Sequence, residues 1–265
     1  AKSAIAAAVL AGLPAAGLAE ESVSLILNWT AGADHAPLYY ALDQGWYAEA
    51  GIALDIQPGK GSGLAAQNVG VGATDIGIAE VGTALLAKSK GAELTAVMAL
   101  YANSPFTLYW KKSSGIETVK DFPGKTVGNP AGDAARVMWP AFAKAAGLPE
   151  DAVSFVNVAP PAKLPTLVSG RVDIISDFYN GHDQKIKELG DDLGFIRWSE
   201  LGLNPYGNSF IVNNAFLAER KDTVKAFVAV TQRAYAACVA TPSPCMDSLL
   251  AHASGLQKAD MEDQW

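Results

Sequence analysis

Only two cysteines, three histidines and four methionines occur among the 265 residues. That scarcity excludes a disulfide-dense scaffold, and no Cys/His set has the spacing of a zinc site. His35, His182 and His252 stand far apart, so metal ligation has no support. Charged residues make up 18% of the chain, too few for disorder, and 50% is hydrophobic, ample for a packed core. The net charge of -7, with no cluster of Lys or Arg, argues against a nucleic-acid backbone or an anionic lipid surface as partner. Beyond the N-terminus, no apolar run approaches the ~20 residues needed to span a bilayer.

What is present begins with Lys2, an apolar run from Ile5 to Leu13, and small residues Gly17 and Ala19 ahead of Glu20. This is the layout of a secretory signal peptide, residues 1–19, and it predicts a mature chain in the periplasm. In that compartment Cys238 and Cys245, separated by Val-Ala-Thr-Pro-Ser-Pro, are expected to form a structural disulfide.

The mature chain alternates strand and helix patterns. Val23, Leu25 and Leu27 mark a strand leading to Trp29, and Pro37 opens a helix. Ile52 to Ile56 is a second strand. The turn Gly59 to Gly63 opens another helix, and Asp75 to Ala79 is a third strand. Single helices between short strands predict a parallel sheet. The same order returns at an offset of about a hundred residues. Ala146-Gly147-Leu148 echoes Ala50-Gly51-Ile52, and Gly170-Arg171-Val172-Asp173-Ile174 echoes Gly72-Ala73-Thr74-Asp75-Ile76. In the second unit a strand at Lys125 to Gly128 is expected to enter a helix from Gly132 to Ala146.

Two α/β lobes follow, 20–104 plus 211–265 and 105–210. They are joined by two extended crossings, near Asn103 to Tyr109 and Pro205 to Phe210, which form a two-segment hinge. The helical stretch Lys221 to Val239 returns to the first lobe. Such a hinge suits closure around a ligand.

Ligands of open α/β sheets sit beyond the carboxyl ends of the strands. The loops there carry Asn28, Trp29, Asp34 and His35; Glu80; Asn129 and Asp133; and Tyr179, His182 and Asp183. Trp29 is read as a stacking platform, Asp34 as an N-cap and His35 as either a capping partner or a ligand donor. Glu80, after an apolar strand, needs a partner and is assigned to the site. Asp133 is read as a helix-dipole partner that would oppose an anion, and Tyr179 and Asp183 share a face if a helix begins there. These loops are poor in Arg and Lys, apart from Arg136 nearby. They suit a neutral or weakly basic heteroaromatic better than nitrate, sulfonate or phosphate.

The segment Asn28-Trp29-Thr30-Ala31-Gly32-Ala33-Asp34-His35-Ala36-Pro37-Leu38-Tyr39-Tyr40-Ala41, with Gly45-Trp46-Tyr47, Ala50-Gly51-Ile52, Gly61-Ser62-Gly63 and Asp75-Ile76-Gly77, resembles the periplasmic solute-binding proteins of ABC importers for thiamin pyrimidine precursors. The group includes formylaminopyrimidine and hydroxymethylpyrimidine binders and is similar to the eukaryotic pyrimidine synthase, and more distantly to sulfonate, taurine and nitrate binders. The resemblance implies an α/β type II periplasmic-binding-protein fold, with the ligand cleft between its lobes. It implies a monomer that takes its ligand to an ABC transporter permease in the inner membrane, with no cofactor and no enzymatic activity. It also implies a Tyr with a Glu four residues later at the ligand; Tyr179 and Asp183 have that spacing, with the shorter acid. The synthase branch holds pyridoxal phosphate on a Lys, with a His four residues on, where this chain has Ala79 and Thr83, and its Cys-rich cluster is missing from Leu203 to Phe210. A sulfonate, nitrate or riboflavin-like ligand stands as the alternative within the fold, and a synthase as the distant one. Members of the group continue past the position of Trp265, so a further C-terminal segment is expected.

Overall fold

The computed structural model describes residues 20–265, and the expected signal peptide, 1–19, lies outside them. The strands are β1 (Glu21–Ile26), β2 (Ile52–Gln57), β3 (Ile76–Glu80), β4 (Leu94–Ala99), β5 (Phe106–Lys111), β6 (Thr126–Gly128), β7 (Ser154–Val156), β8 (Ile174–Phe178), β9 (Leu193–Arg197) and β10 (Asn208–Asn213). They form two sheets of the same design, β2-β1-β3-β10-β4 and β7-β6-β8-β5-β9. Neither sheet is wholly parallel, as the strand–helix alternation predicts. The fourth strand of each, β10 or β5, runs antiparallel to both neighbours. The reason is topological: each of these strands arrives from the other sheet by a crossing, without a helix to turn it around.

The repeat is visible at the level of single bonds. Asp75 accepts from the backbone N–H and hydroxyl of Ser24, at 2.8 and 2.6 Å. Asp173 accepts from the same two groups of Thr126, at 2.8 and 2.7 Å. Each carboxylate thus ties the entry of its lobe's third strand to the first.

Leu25, Leu27, Ile76, Ile78, Phe210 and Phe227 pack one face of the first sheet, and Ile26, Ala65, Val69 and Ile211 the other. In the second lobe Phe106, Trp110, Phe122, Trp139, Phe142 and Trp198 form an aromatic core, and Tyr109, Leu167 and Ile175 cover the opposite face. The helix expected from Gly132 to Ala146 is two, Ala134–Val137 and Trp139–Ala146, broken at Met138. Pro140 explains the break, since its ring lacks an N–H and restricts the residue before it. The long helix Lys221–Ala240 returns to the first sheet through Val224 and Phe227.

The two crossings run side by side and are bonded together. Asn204 accepts from the Ser104 N–H and donates to Asn103 Oδ1, both at 2.8 Å, and the Gly207 N–H donates to Tyr101 O at 2.9 Å. β10 begins at Asn208, so the return crossing joins the first sheet ahead of the boundary expected at 211. No helix among the described residues is long and apolar enough to cross a membrane.

Candidate ligand site

The carboxyl ends of β1, β3, β6 and β8 face one another across the two lobes, and the lobes touch there. The Gly63 N–H donates to Gly132 O at 3.0 Å. Gly61, at φ 126°, leaves no room for a side chain, because a Cβ would stand 2.1 Å from Gly132 O. Glycine at both positions lets the backbones meet.

After β1, the Gly32 N–H donates to His35 Nδ1 at 3.1 Å, so Nδ1 is the acceptor and the Nε2–H donates to Asn28 Oδ1 at 2.9 Å. His35 and Asn28 are both buried, and they brace the loop that carries Trp29. His35 caps the following helix by position only, without a side-chain bond. Asp34 is not the N-cap the sequence suggests. Its carboxylate accepts from the Tyr101 hydroxyl at 3.2 Å and its carbonyl from the Tyr235 hydroxyl at 2.7 Å. Burial, reinforced by Asp34 and Tyr235, holds the Tyr101 hydroxyl well above the ordinary phenol range, so it remains a donor.

Glu80 is 1% exposed and caps the helix Val81–Ser89. One carboxylate oxygen accepts from the Gly82 N–H at 2.9 Å, and the other from the Thr83 N–H and hydroxyl at 2.8 and 3.0 Å. Burial pushes its carboxyl up, and these bonds offset the rise only in part. Asp133 caps Ala134–Val137 by accepting from the Ala135 N–H at 2.8 Å. Asn129 donates to Ser176 Oγ at 2.9 Å and to Asp133 Oδ1 at 3.3 Å.

Composition alone misses Lys163. It opens the helix Lys163–Val168, is buried, and donates to Asp133 Oδ2 at 2.9 Å and to Ser176 Oγ at 3.2 Å. Its ammonium also stands 4.9 Å from the centre of the Trp29 ring. Spacing places Lys163 in no strand-end loop; its position after the Pro160-Pro161 turn was the one available signal. Arg136, by contrast, lies over the Phe155 ring at 5.0 Å.

Phe178 packs edge-on against Tyr101 and Phe106. Tyr179 stacks on His182 at 4.7 Å, with the Arg197 guanidinium 4.3 Å above its ring. Asp183 is exposed in the first turn of the helix His182–Leu189, and no bond links it to Tyr179. The acid engaged here is Asp177, which pairs with buried Lys185. Burial opposes ionisation of Asp177, but the Lys185 and Lys163 ammonium groups prevail and hold its carboxyl below the usual range.

Lys163 thus links Asp133 and, through Ser176, Asn129 of one lobe to the Trp29 ring of the other, and Asn28 and His35 brace the Trp29 loop. Glu80 is bonded within its own helix cap, and no bond joins Tyr179 or Asp183 to this group. An open groove of about 1000 Å³ runs beside these residues, between Leu64, Val71 and Lys90 on one lobe and Pro130, Ala131 and Pro160 on the other. Among the described residues no group of three or more His, Cys, Asp or Glu could hold a metal ion.

A family profile described as NMT1/THI5 like matches residues 32–244, most of the chain. The chain belongs to that family. This NMT1/THI5-like chain is 24% identical to the formylaminopyrimidine-binding protein of Halalkalibacterium halodurans over 232 residues, covering 87% of this chain and 70% of that protein. It is 28% identical to the 4-amino-5-hydroxymethyl-2-methylpyrimidine phosphate synthase of Legionella pneumophila over 231 residues, covering 86% and 72%. Among solved structures, the alkanesulfonate-binding protein SsuA of Xanthomonas axonopodis pv. citri, bound to MOPS, superposes with a TM-score of 0.72 at 18% identity, covering 93% of this chain and 84% of that one. At that identity the likeness establishes the periplasmic-binding-protein fold.

Proposed function

We propose that this NMT1/THI5-like protein is the extracytoplasmic solute-binding component of an ABC importer. It captures a neutral aminopyrimidine of the thiamin-precursor type by lobe closure and delivers it to an inner-membrane permease. The observation that carries this reading is the use of Glu80 and Asp133 as helix caps inside the cleft. An anion at those helix ends would meet a carboxylate where it needs free N–H groups. Lys163, the buried cation beside Trp29, is already matched by Asp133, so the ligand needs no net charge. Trp29 supplies a flat apolar face, and the surrounding amides supply hydrogen bonds.

The synthase named among the relatives supports a competing enzymatic reading. Against it, Ala79 and Thr83 occupy the positions expected of the cofactor-holding Lys and its His, and a methyl group cannot form a Schiff base. Ala79 is fully buried, and the Thr83 hydroxyl is bonded to Glu80. The reading includes a monomeric mature chain in the periplasm, two lobes with the return to the first at Asn208, and a Cys238–Cys245 disulfide. The two cysteine Cα atoms are 5.8 Å apart, within bridging range.

The test is thermal unfolding of the chain with formylaminopyrimidine, hydroxymethylpyrimidine, riboflavin, taurine and nitrate in turn. A ligand at a hundred times its dissociation constant adds about 2.7 kcal/mol. Stabilisation by the pyrimidines alone is expected. Stabilisation by taurine or nitrate instead would mean that Lys163 exchanges Asp133 for an anion, and the reading would fall.

A further inference from the structure

Asn208 starts β10 at the point where the return crossing enters the first sheet, in register opposite Glu80. Its backbone carbonyl is fully used, accepting from the Leu100 and Tyr101 N–H groups at 2.8 and 3.3 Å. Its side chain is not. Asn208 is 0% exposed, yet neither Nδ2 nor Oδ1 has a hydrogen-bond partner. Among the described residues it is the one side chain with two separate buried polar atoms left unpaired. A buried unpaired amide is a net cost to the fold, and its persistence needs a reason.

The reason is not structural. At the matching place in the second sheet Phe106 stands opposite Phe178, an apolar pair that fills the same corner with no polar group to satisfy. Glu80 does not answer Asn208 either: its carboxylate turns to Gly82 and Thr83, and no bond reaches the Asn208 amide. The amide lies at the cleft end of the sheet, opposite Glu80 and next to the Tyr101 crossing.

We infer that Asn208 is a ligand contact at the floor of the cleft, and that its carboxamide takes a ligand edge bearing a donor beside an acceptor. This rests on the aminopyrimidine reading above and names the group that reads the ring's edge. An aminopyrimidine presents a ring nitrogen next to an amino group. Nδ2 donates to the ring nitrogen while Oδ1 accepts from the amino group, so both stranded atoms are satisfied at once. A sulfonate or nitrate offers acceptors alone and leaves Oδ1 unpaired. Trp29 then holds the face of the ring and Asn208 its edge.

The experiment compares wild-type protein with N208L and N208A by titration calorimetry using hydroxymethylpyrimidine, and by thermal unfolding without ligand. N208L keeps the volume and removes both polar atoms. It is expected to lose roughly tenfold or more in affinity while melting at or above the wild-type temperature. A merely structural amide would give the reverse, a lower melting temperature with affinity retained. N208L or N208A binding within about twofold of wild type overturns this assignment alone. Wild-type protein that fails to bind the pyrimidine overturns the aminopyrimidine reading, and this assignment with it.

Discussion

Lys163 Nζ stands 4.9 Å from the centre of the Trp29 ring, a cation from one lobe against an aromatic face from the other. The same ammonium is held by Asp133. The pair therefore joins the Trp29 ring to the Asp133 helix cap.

Trp29→Ala is expected to weaken pyrimidine binding about tenfold, since a ring stack contributes about 0.5–1.5 kcal/mol beyond its buried area. The fold should be kept, because Trp29 lies at the cleft and outside the buried core. Titration calorimetry with an unfolding control checks this, and undiminished affinity removes Trp29 from the site.

Lys163→Met leaves Asp133 buried without its cation, which typically costs about 3–5 kcal/mol. Adding Asp133→Asn removes the stranded charge and should restore part of the loss. Urea unfolding of the single and double variants measures it. A double variant no more stable than the single would show that Asp133 draws its support from the Ala135 N–H and Asn129.

Asp177 has its carboxyl held below the ordinary range by Lys185 and Lys163, against the effect of burial. Its stabilising effect is therefore present above the unfolded value of about 3.9 and is lost as pH falls through the lower folded value. The side chain is 41% exposed, so solvent screening reduces the effect. Asp177→Asn is expected to lower stability at pH 7, where the effect is fully present and Lys185 loses its partner, and to flatten the acid limb below about pH 4, where the effect is lost in the wild type. An unchanged slope in acid unfolding curves would count against the ion pair.

Reducing Cys238–Cys245 opens a short loop, for which chain entropy gives about 2.5 kcal/mol. Treatment with dithiothreitol is expected to lower the melting temperature by roughly 5–10 °C. Both cysteines are buried against Met246 and Leu249, so the effect of Cys238→Ala/Cys245→Ala should match that of reduction. No shift with dithiothreitol would mean that the pair is not bridged in the purified protein.

The repeat was legible because its signals are local: Gly-x-x-Asp-Ile and Gly-Arg-Val-Asp-Ile each end a turn and begin a strand. The two aspartates that bond Ser24 and Thr126 were thus present as pattern, although their partners were not. Trp29, Asn28 and His35 could be found in one loop because they are neighbours in the chain. Glu80 and Asp133 were legible as strand-end acids, but whether such an acid faces a ligand or caps a helix depends on where the next two N–H groups turn.

Sequence by itself determined the two-lobed α/β plan and the crossings, since periodicity and turn residues act over a few positions. Tertiary structure alone decided the antiparallel β5 and β10, the meeting of Lys163 with Trp29 and Asp133, and the isolation of Asn208. Each depends on groups far apart in the chain, or on partners that fail to arrive. Burial then sets the outcome, because a charge or amide removed from water must be answered by whatever the fold brings beside it.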